Sequence, residues 1–398
     1  MTRYVRSGRL QIEHQDGGNW TITHSVLGTR LQVNKSAYRF LQLFDKPCAL
    51  EDLGHPEAVQ KASPTIERFI RNGFLIEEDH RESISEKIVQ RTTPRFFHCP
   101  YVADSENADV TFLGVPFDHG NTSAPGARYG PKALRNASAA DFHYSLDFTS
   151  QKPTGWYDNG WDRPILQGVT MADAGDIFLF AGESTQRIFE KIREAVEGVL
   201  TRNSFPAIIG GDHSVTYPIL EAYKTDVDII HIDAHSDFAS YYPEVENHHG
   251  NVMTRVLQLP HVGQFYQIGV RGTTPSRQAK SNPRAALEVS PRHMRQIGIA
   301  GVLEQIPKTG QYYVSFDIDA LDPTLAPGTS TPMLGGLRYE ETKELLWAIG
   351  LNRHCIGFDL VEVNPLKDTN DITSDVAVDL LLTFLAAHFA SRKEMANE

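Results

Sequence analysis

Asp233-Ala234-His235-Ser236-Asp237 closes a run, Val227-Asp228-Ile229-Ile230-His231-Ile232, with the short length, apolar content and β-branched side chains of a buried strand. Along an extended strand, residues i, i+2 and i+4 share a face. Asp233, His235 and Asp237 therefore converge where the strand should leave its sheet. Clustering two carboxylates and an imidazole there is costly unless each finds a partner. A divalent metal ion supplies one.

Two further stretches repeat the pattern. Val314-Ser315-Phe316-Asp317-Ile318-Asp319 reads as a second buried strand, with Asp317 and Asp319 facing one way. Phe205-Pro206-Ala207-Ile208-Ile209 reads as a third. Gly210-Gly211-Asp212-His213-Ser214 follows it, and the glycine pair permits a sharp turn that delivers His213 to the rim. The candidate ligands are thus His213, Asp233, His235, Asp237, Asp317 and Asp319, all at the carboxyl ends of predicted strands. That edge is where open α/β sheets bind their ligands. Asp residues at strand ends commonly serve turns, but this many at matched spacing on three strands point to a metal centre. Asp212 reads as supporting structure. Oxygen-dominated ligation with a minority of imidazole suits Mn²⁺, with Ni²⁺ the alternative, rather than a thiolate-rich zinc site. Four carboxylates exceed the need of one ion, so two ions about 3.5–4 Å apart and bridged by water are expected.

These three stretches resemble the signatures of the ureohydrolases, the arginase and agmatinase family. Other segments agree in family order: Gly114-Val115-Pro116-Phe117-Asp118, Pro125-Gly126-Ala127-Arg128-Tyr129-Gly130-Pro131, Asp173-Ala174-Gly175-Asp176, Gln267-Ile268-Gly269-Val270-Arg271, Ala326-Pro327-Gly328-Thr329-Ser330-Thr331-Pro332 and Val361-Glu362-Val363-Asn364-Pro365. The resemblance spans about residues 105–392, and its branch is agmatinase-like. It implies a three-layer α/β fold, a mainly parallel sheet with helices on both faces, and a homo-oligomer, trimeric or hexameric. It implies hydrolysis of a guanidino group to urea plus amine or ammonia. Glu362 would hold the substrate guanidinium, Asp237 would double as ligand and proton donor, and His249 would contact substrate and shuttle protons, with His248 its rival. Arg128 and Thr329 to Pro332 read as loop architecture, and His119, Asn121 and Thr122 as candidates for the site entrance.

The chain departs from the family in three places, one of them the length of the loop between Asp237 and His249. Where free-arginine hydrolases carry an Asn two residues after the last ligand of the Asp233 motif, this chain has Ala239. Where agmatinases carry an Arg before Pro-Gly-Ala-Arg, it has Ala124. The substrate expected is therefore a small guanidino compound: agmatine-like, a guanidino acid, or free guanidine. The alternatives are peptidyl arginine, a formiminoglutamase-like C–N hydrolysis, or a binding module without activity.

At 398 residues the chain exceeds one typical domain. Residues 1–95 lie outside the resemblance and form a candidate extension, with the catalytic domain over 96–398. A hairpin is expected over Thr21 to Val33 with Gly28 at its turn, then a helix capped by Ser36 and a second from Pro64 to Arg71, then a strand from Phe74. This pattern gives a small α+β, winged-helix-like unit, similar to the peptide-binding PqqD-like domains. A formal charge of −12 without a basic stripe argues against a nucleic-acid partner. Three scattered cysteines, Cys48, Cys99 and Cys355, read as free thiols of a reducing cytosol. Met1 to Leu10 lacks the apolar core of a signal peptide, and Leu380 to Ala390 is expected to be too short and too interrupted to span a bilayer.

Overall fold

The structure, a computed structural model, describes residues 3–7, 10–14, 18–24, 30–54, 56–72, 74–77, 88–102, 108–150, 152–238, 247–272 and 284–397. Chain contacts separate two compact units, Met1–Ile88 and Val89–Glu398.

The first unit runs β1 (Arg3–Arg6), β2 (Leu10–His14), β3 (Asn19–His24), β4 (Arg30–Asn34), α1 (Lys35–Gln42), β5 (Cys48–Ala49), α2 (Pro56–Arg71) and β6 (Leu75–Glu77). β2, β3 and β4 form an antiparallel meander, while β1 pairs with both β5 and β6. Ile22, Leu41, Phe44, Phe69 and Phe74 close its own apolar core. The expected hairpin is β3–β4; its turn at Gly28, like Ala239, lies outside the described residues. The cap of α1 is Asn34 rather than Ser36: its side chain accepts the Ala37 amide at 2.9 Å, so the helix starts as soon as β4 ends. α2 begins at Pro56, and Pro64 sits inside it. The proline forfeits one helical hydrogen bond, yet the turns beyond it bury Ile66 and Phe69, and the helix continues.

The second unit runs β7 (Val89–Gln90), β8 (Val110–Gly114), α3 (Gly130–Asp141), β9 (Trp156–Asp158), β10 (Arg163–Ile165), β11 (Met171–Ile177), α4 (Thr185–Thr201), β12 (Phe205–Ile209), α5 (Thr216–Glu221), β13 (Val227–Ile232), α6 (Val252–Val256), β14 (Val262–Ile268), β15 (Ala285–Val289), α7 (Pro291–Glu304), β16 (Tyr312–Asp317), α8 (Tyr339–Asn352), β17 (Cys355–Val361) and α9 (Ile372–Asn397). The boundary expected after residue 95 moves to Ile88, because β7 pairs with β11 in the large sheet.

That sheet has the order β15-β14-β13-β16-β17-β12-β8-β11-β7, parallel except for the terminal strand β7. β8, β12 and β16 are buried along their whole length, as expected of strands covered on both faces. Phe112, Ala207, Val314 and Phe358 share one core with Leu345, Leu346 and Ile349 of α8 and Leu381 and Phe384 of α9. The alternate residues turn to the other face, where Asp359 of β17 receives the Thr216 hydroxyl of α5 at 2.8 Å. Arg135 of α3, fully buried, donates to Asp173 at 2.9 and 3.0 Å and also binds Asp176. The Asp173-to-Asp176 motif thus ties a helix to the sheet.

The segment Ile372–Arg392 of α9 is, contrary to expectation, long and apolar enough to cross a membrane by length and composition. It is the core helix of this unit, with 78% of its apolar window buried. Near its end His388 is 2% exposed among Phe205, Phe384 and Phe389, with neither ring nitrogen hydrogen-bonded among the described residues. Burial, with smaller repulsion from Arg392 and His354, pushes its pKa down from 6.5 to about 3. Between those values the unfolded chain takes up a proton that the folded chain refuses, so stability falls as pH drops through this window. From pH 7 to 5 this linkage is worth about 2 kcal/mol. The variant His388→Leu should lose that much less stability over the same interval, measured by urea unfolding at both pH values. An unchanged pH dependence would refute the assignment.

Candidate metal centre

Four adjacent strands, β13, β16, β17 and β12, end side by side and deliver the candidate residues to one place. His213 follows β12, Asp233 to Asp237 follow β13, Asp317 ends β16, and Glu362 follows β17. Close approach, rather than turning, explains the glycine pair: a Cβ on Gly211 would sit 1.7 Å from the Phe117 carbonyl oxygen.

His213 is the hub. Its Nδ1 lies 3.1 Å from Asp233 Oδ2, 3.0 Å from Asp237 Oδ2 and 3.2 Å from Asp317 Oδ2. On the far side of the ring, Nε2 meets Ser315 Oγ at 2.9 Å, and that hydroxyl donates to Asp359 Oδ1 at 2.7 Å. Ser315 has spent its proton on Asp359, so it accepts from Nε2–H. In the neutral ring Nδ1 is then the bare nitrogen, turned toward three carboxylate oxygens. A second set forms around His235, whose Nδ1 is 3.0 Å from Asp319 Oδ2 and 3.5 Å from Asp233 Oδ1. Asp233 offers one oxygen to each set. His213, Asp233 and Asp237, and separately Asp233, His235 and Asp319, are close enough to share an ion.

The electrostatics agree. Burial first, then the charges of Asp319 and Asp233, hold the Asp317 carboxyl well above its ordinary range. Burial also raises Asp319, with Asp233 adding to it against the pull of His235. Burial opposes charging of His235, but Asp319 and Asp233 push it up to about 12. The same contest, won by Asp233, Asp237 and Asp317, raises His213 well above its usual value. Protons here do the work that a cation would do. This donor set, oxygens plus two imidazole nitrogens with one nitrogen lacking a hydrogen-bond partner among the described residues, fits a hard divalent ion.

Beside the cluster, Glu362 is 1% exposed, and its Oε1 accepts from the His213 amide and from His249 Nδ1, both at 2.9 Å. Its Oε2 is buried without a hydrogen-bond partner among the described residues. Glu362 and Asp237 both have left-handed backbones, φ 64° and 54°. Such conformations cost non-glycine residues free energy and concentrate at functional sites. His249 also meets Thr122 Oγ1 at 2.9 Å through Nε2. Burial lowers its pKa, but Glu362, Asp237 and Asp212 outweigh that and push it up to about 9. His248 caps the turn that begins at His249. Asp212, fully buried, binds the Ser214 hydroxyl and amide; burial and the charge of Glu362 raise it to about 7. Arg128 pairs with buried Asp118 and closes its loop, while Thr331 donates to Asp319 Oδ2 at 3.1 Å. The His119 ring lies tilted against that of Phe117, centroids 5.0 Å apart, and the Asn121 side chain receives the Ser123 amide.

Four residues were not singled out from sequence: His231, Gln267, Ser315 and Asp359. Two of them carried a signal, period two. His231 precedes Asp233 by two positions and Ser315 precedes Asp317 by two, so each faces the ligand side of its strand.

The arginase family model matches residues 108–387. The proclavaminate amidinohydrolase of Streptomyces clavuligerus is 32% identical over 309 residues, covering 74% of this chain and 94% of that protein. The mitochondrial guanidino acid hydrolase of Homo sapiens is 33% identical over 299 residues, covering 72% of this chain and 80% of its own. A hypothetical agmatinase from Burkholderia thailandensis superposes with a TM-score of 0.64 at 28% identity, covering 75% of this chain and 91% of that structure. This chain belongs to the arginase family, as a hydrolase acting on linear amidines.

Proposed function

We propose that the chain hydrolyses the guanidino group of a small guanidino compound to urea and an amine, using two divalent ions, Mn²⁺ by preference. The observation that carries this reading is Glu362: a buried carboxylate with one oxygen committed to His213 and His249 and the other without a hydrogen-bond partner among the described residues. A buried lone acceptor is costly, and a planar cation with a fork of N–H donors satisfies it. Relatives named for guanidino acids and agmatine support the substrate class.

Held by His213, Asp233, His235, Asp237, Asp317 and Asp319, the ions would supply Lewis acidity and a water acidified toward neutral pH. The protein does the rest. Glu362 orients the guanidinium so that its carbon faces the cluster. Asp237 gives a proton to the departing nitrogen, a step in which positioned acids contribute about 10²–10⁴-fold. His249, between Glu362 and Thr122, relays a proton to or from solvent.

A second reading, peptidyl arginine as substrate, draws on the separate unit formed by residues 1–88, in which β4 is an edge strand among the described residues. An open edge accepts an extended peptide by strand addition. A urea-release screen of the full chain separates the two. It should use agmatine, guanidinobutyrate, arginine, free guanidine, formiminoglutamate and an Arg-containing peptide. On the first reading kcat/KM for a small compound exceeds that for the peptide at least tenfold, and the reverse order transfers the assignment to the second. Release of formamide without urea would point instead to C–N hydrolysis of the formimino type.

Two variants test the roles. Glu362→Gln turns a charge-assisted pair into a neutral one, worth about 1.5–3 kcal/mol, so KM should rise about ten- to hundredfold. An unchanged KM would move guanidinium binding elsewhere. Asp237→Asn suits the left-handed backbone while removing a ligand charge and the proposed acid. Its kcat should fall at least about a hundredfold with the circular dichroism of the fold retained. Near-normal urea release with full metal content would overturn that role.

A further inference from the structure

His231 is buried inside β13, its Nε2 lies 2.8 Å from Asp233 Oδ2, and its ring nitrogens are close enough to His213, Asp233 and Asp237 to pass for a seventh ligand. Hydrogen-bond accounting argues otherwise. The side-chain amide of Gln267, on neighbouring β14, sits 3.1 Å from the Ser236 carbonyl through Nε2. A carbonyl only accepts, so the amide must present its NH₂ group there. The same Nε2 is 3.0 Å from His231 Nδ1 and donates to it. Nδ1 is then an acceptor, and the neutral ring carries its proton on Nε2, which donates to Asp233 Oδ2. Both nitrogens are spent, and neither has a lone pair left for a metal.

We infer that His231 is a positioning residue, set by Gln267, that fixes the rotation of the shared carboxylate Asp233. The other oxygen, Oδ1, already holds the His235 amide at 2.5 Å. The carboxylate is thereby gripped at both ends. Oδ2 stays toward His213, Asp237 and Asp317, and Oδ1 toward His235 and Asp319. Without the Nε2–H donor, Asp233 is free to turn both oxygens to one set and leave the other short of a ligand. Outer partners of this kind are worth about 10–100-fold in metal affinity.

The inference rests on the metal-centre reading, and Mn²⁺ binding tests the two separately. Full-length protein is titrated with Mn²⁺ by calorimetry, and the bound ions are examined by electron paramagnetic resonance. Wild type should take two ions per chain, with a spectrum showing coupling between them. In His231→Leu the weaker step should loosen about 10–100-fold and the coupling diminish. In His231→Gln, which keeps an N–H donor, affinity should return to within about threefold of wild type with two ions bound. If His231→Leu does not fold, Gln267→Leu replaces it; freed of its anchor, the ring proton can shift to Nδ1, and affinity should fall in the same direction. A ligand role for His231 predicts instead that His231→Gln loses one ion, which would overturn the inference. So would wild-type affinity in His231→Leu or, in its place, Gln267→Leu. Failure of the wild type to bind Mn²⁺ would remove the metal-centre reading itself.

Discussion

Carboxylates crowded out of water around two imidazoles are the constraint on which this molecule is built. Asp233, Asp317 and Asp319 are essentially inaccessible, and Asp237 nearly so. Like charges this close repel strongly in a poorly polarisable interior. The arrangement persists only because a rigid parallel sheet presents each donor from the end of its own strand, and because countercharge balances the set. Helices α8 and α9 on one face and α5 on the other have, as their main consequence for function, that four strand ends cannot drift apart.

Around this cluster the polar groups form a graded support. Ser315 and Asp359 orient His213; the amides of His213, Ala234, His235 and Asp319 each satisfy a carboxylate oxygen of the site. Arg271 donates to the carbonyls of Asp319, Ala320 and Leu321 and so anchors the chain as it leaves β16. Backbone strain at Asp237 and Glu362 completes the picture. Two residues of the candidate site are held in conformations they would not choose, and the surrounding bonds supply the restraint.

How much of this could be read in advance depended on the kind of signal each residue gives. β13 falls on the residues expected, because a short run rich in β-branched apolar side chains is a local property. The donors on β13 and β16 were legible for the same reason: period two does not depend on the rest of the fold. β11 was obscured because Asp173 and Asp176 break its apolar pattern, and only the distant Arg135 makes those charges tolerable in a strand. The β9–β10 hairpin, rich in turn formers, carries little periodicity over its three-residue strands. His231 looked like one polar interruption of a strand, since its meaning lies in Gln267, which is remote in sequence. In the first unit the helix cap was misassigned because Asn34 and Ser36 are equally good caps by type, and the end of β4 decides between them.

Sheet order also dictates when the centre comes into being. β12 and β13 are successive strands in the chain, yet β17 and β16 lie between them in the sheet. β12 and β13 are therefore three strand spacings apart, about 14 Å, and the loop after β12 has to bring His213 back toward Asp233. Only after the last quarter of the sequence is synthesised and threaded into that gap do the donors face one another. A nascent chain that has emerged as far as Glu304 holds a histidine and a carboxylate-rich loop, but no cage. Assembly of the ion-binding geometry thus coincides with closure of the sheet, and tight loading marks a finished fold rather than guiding an unfinished one.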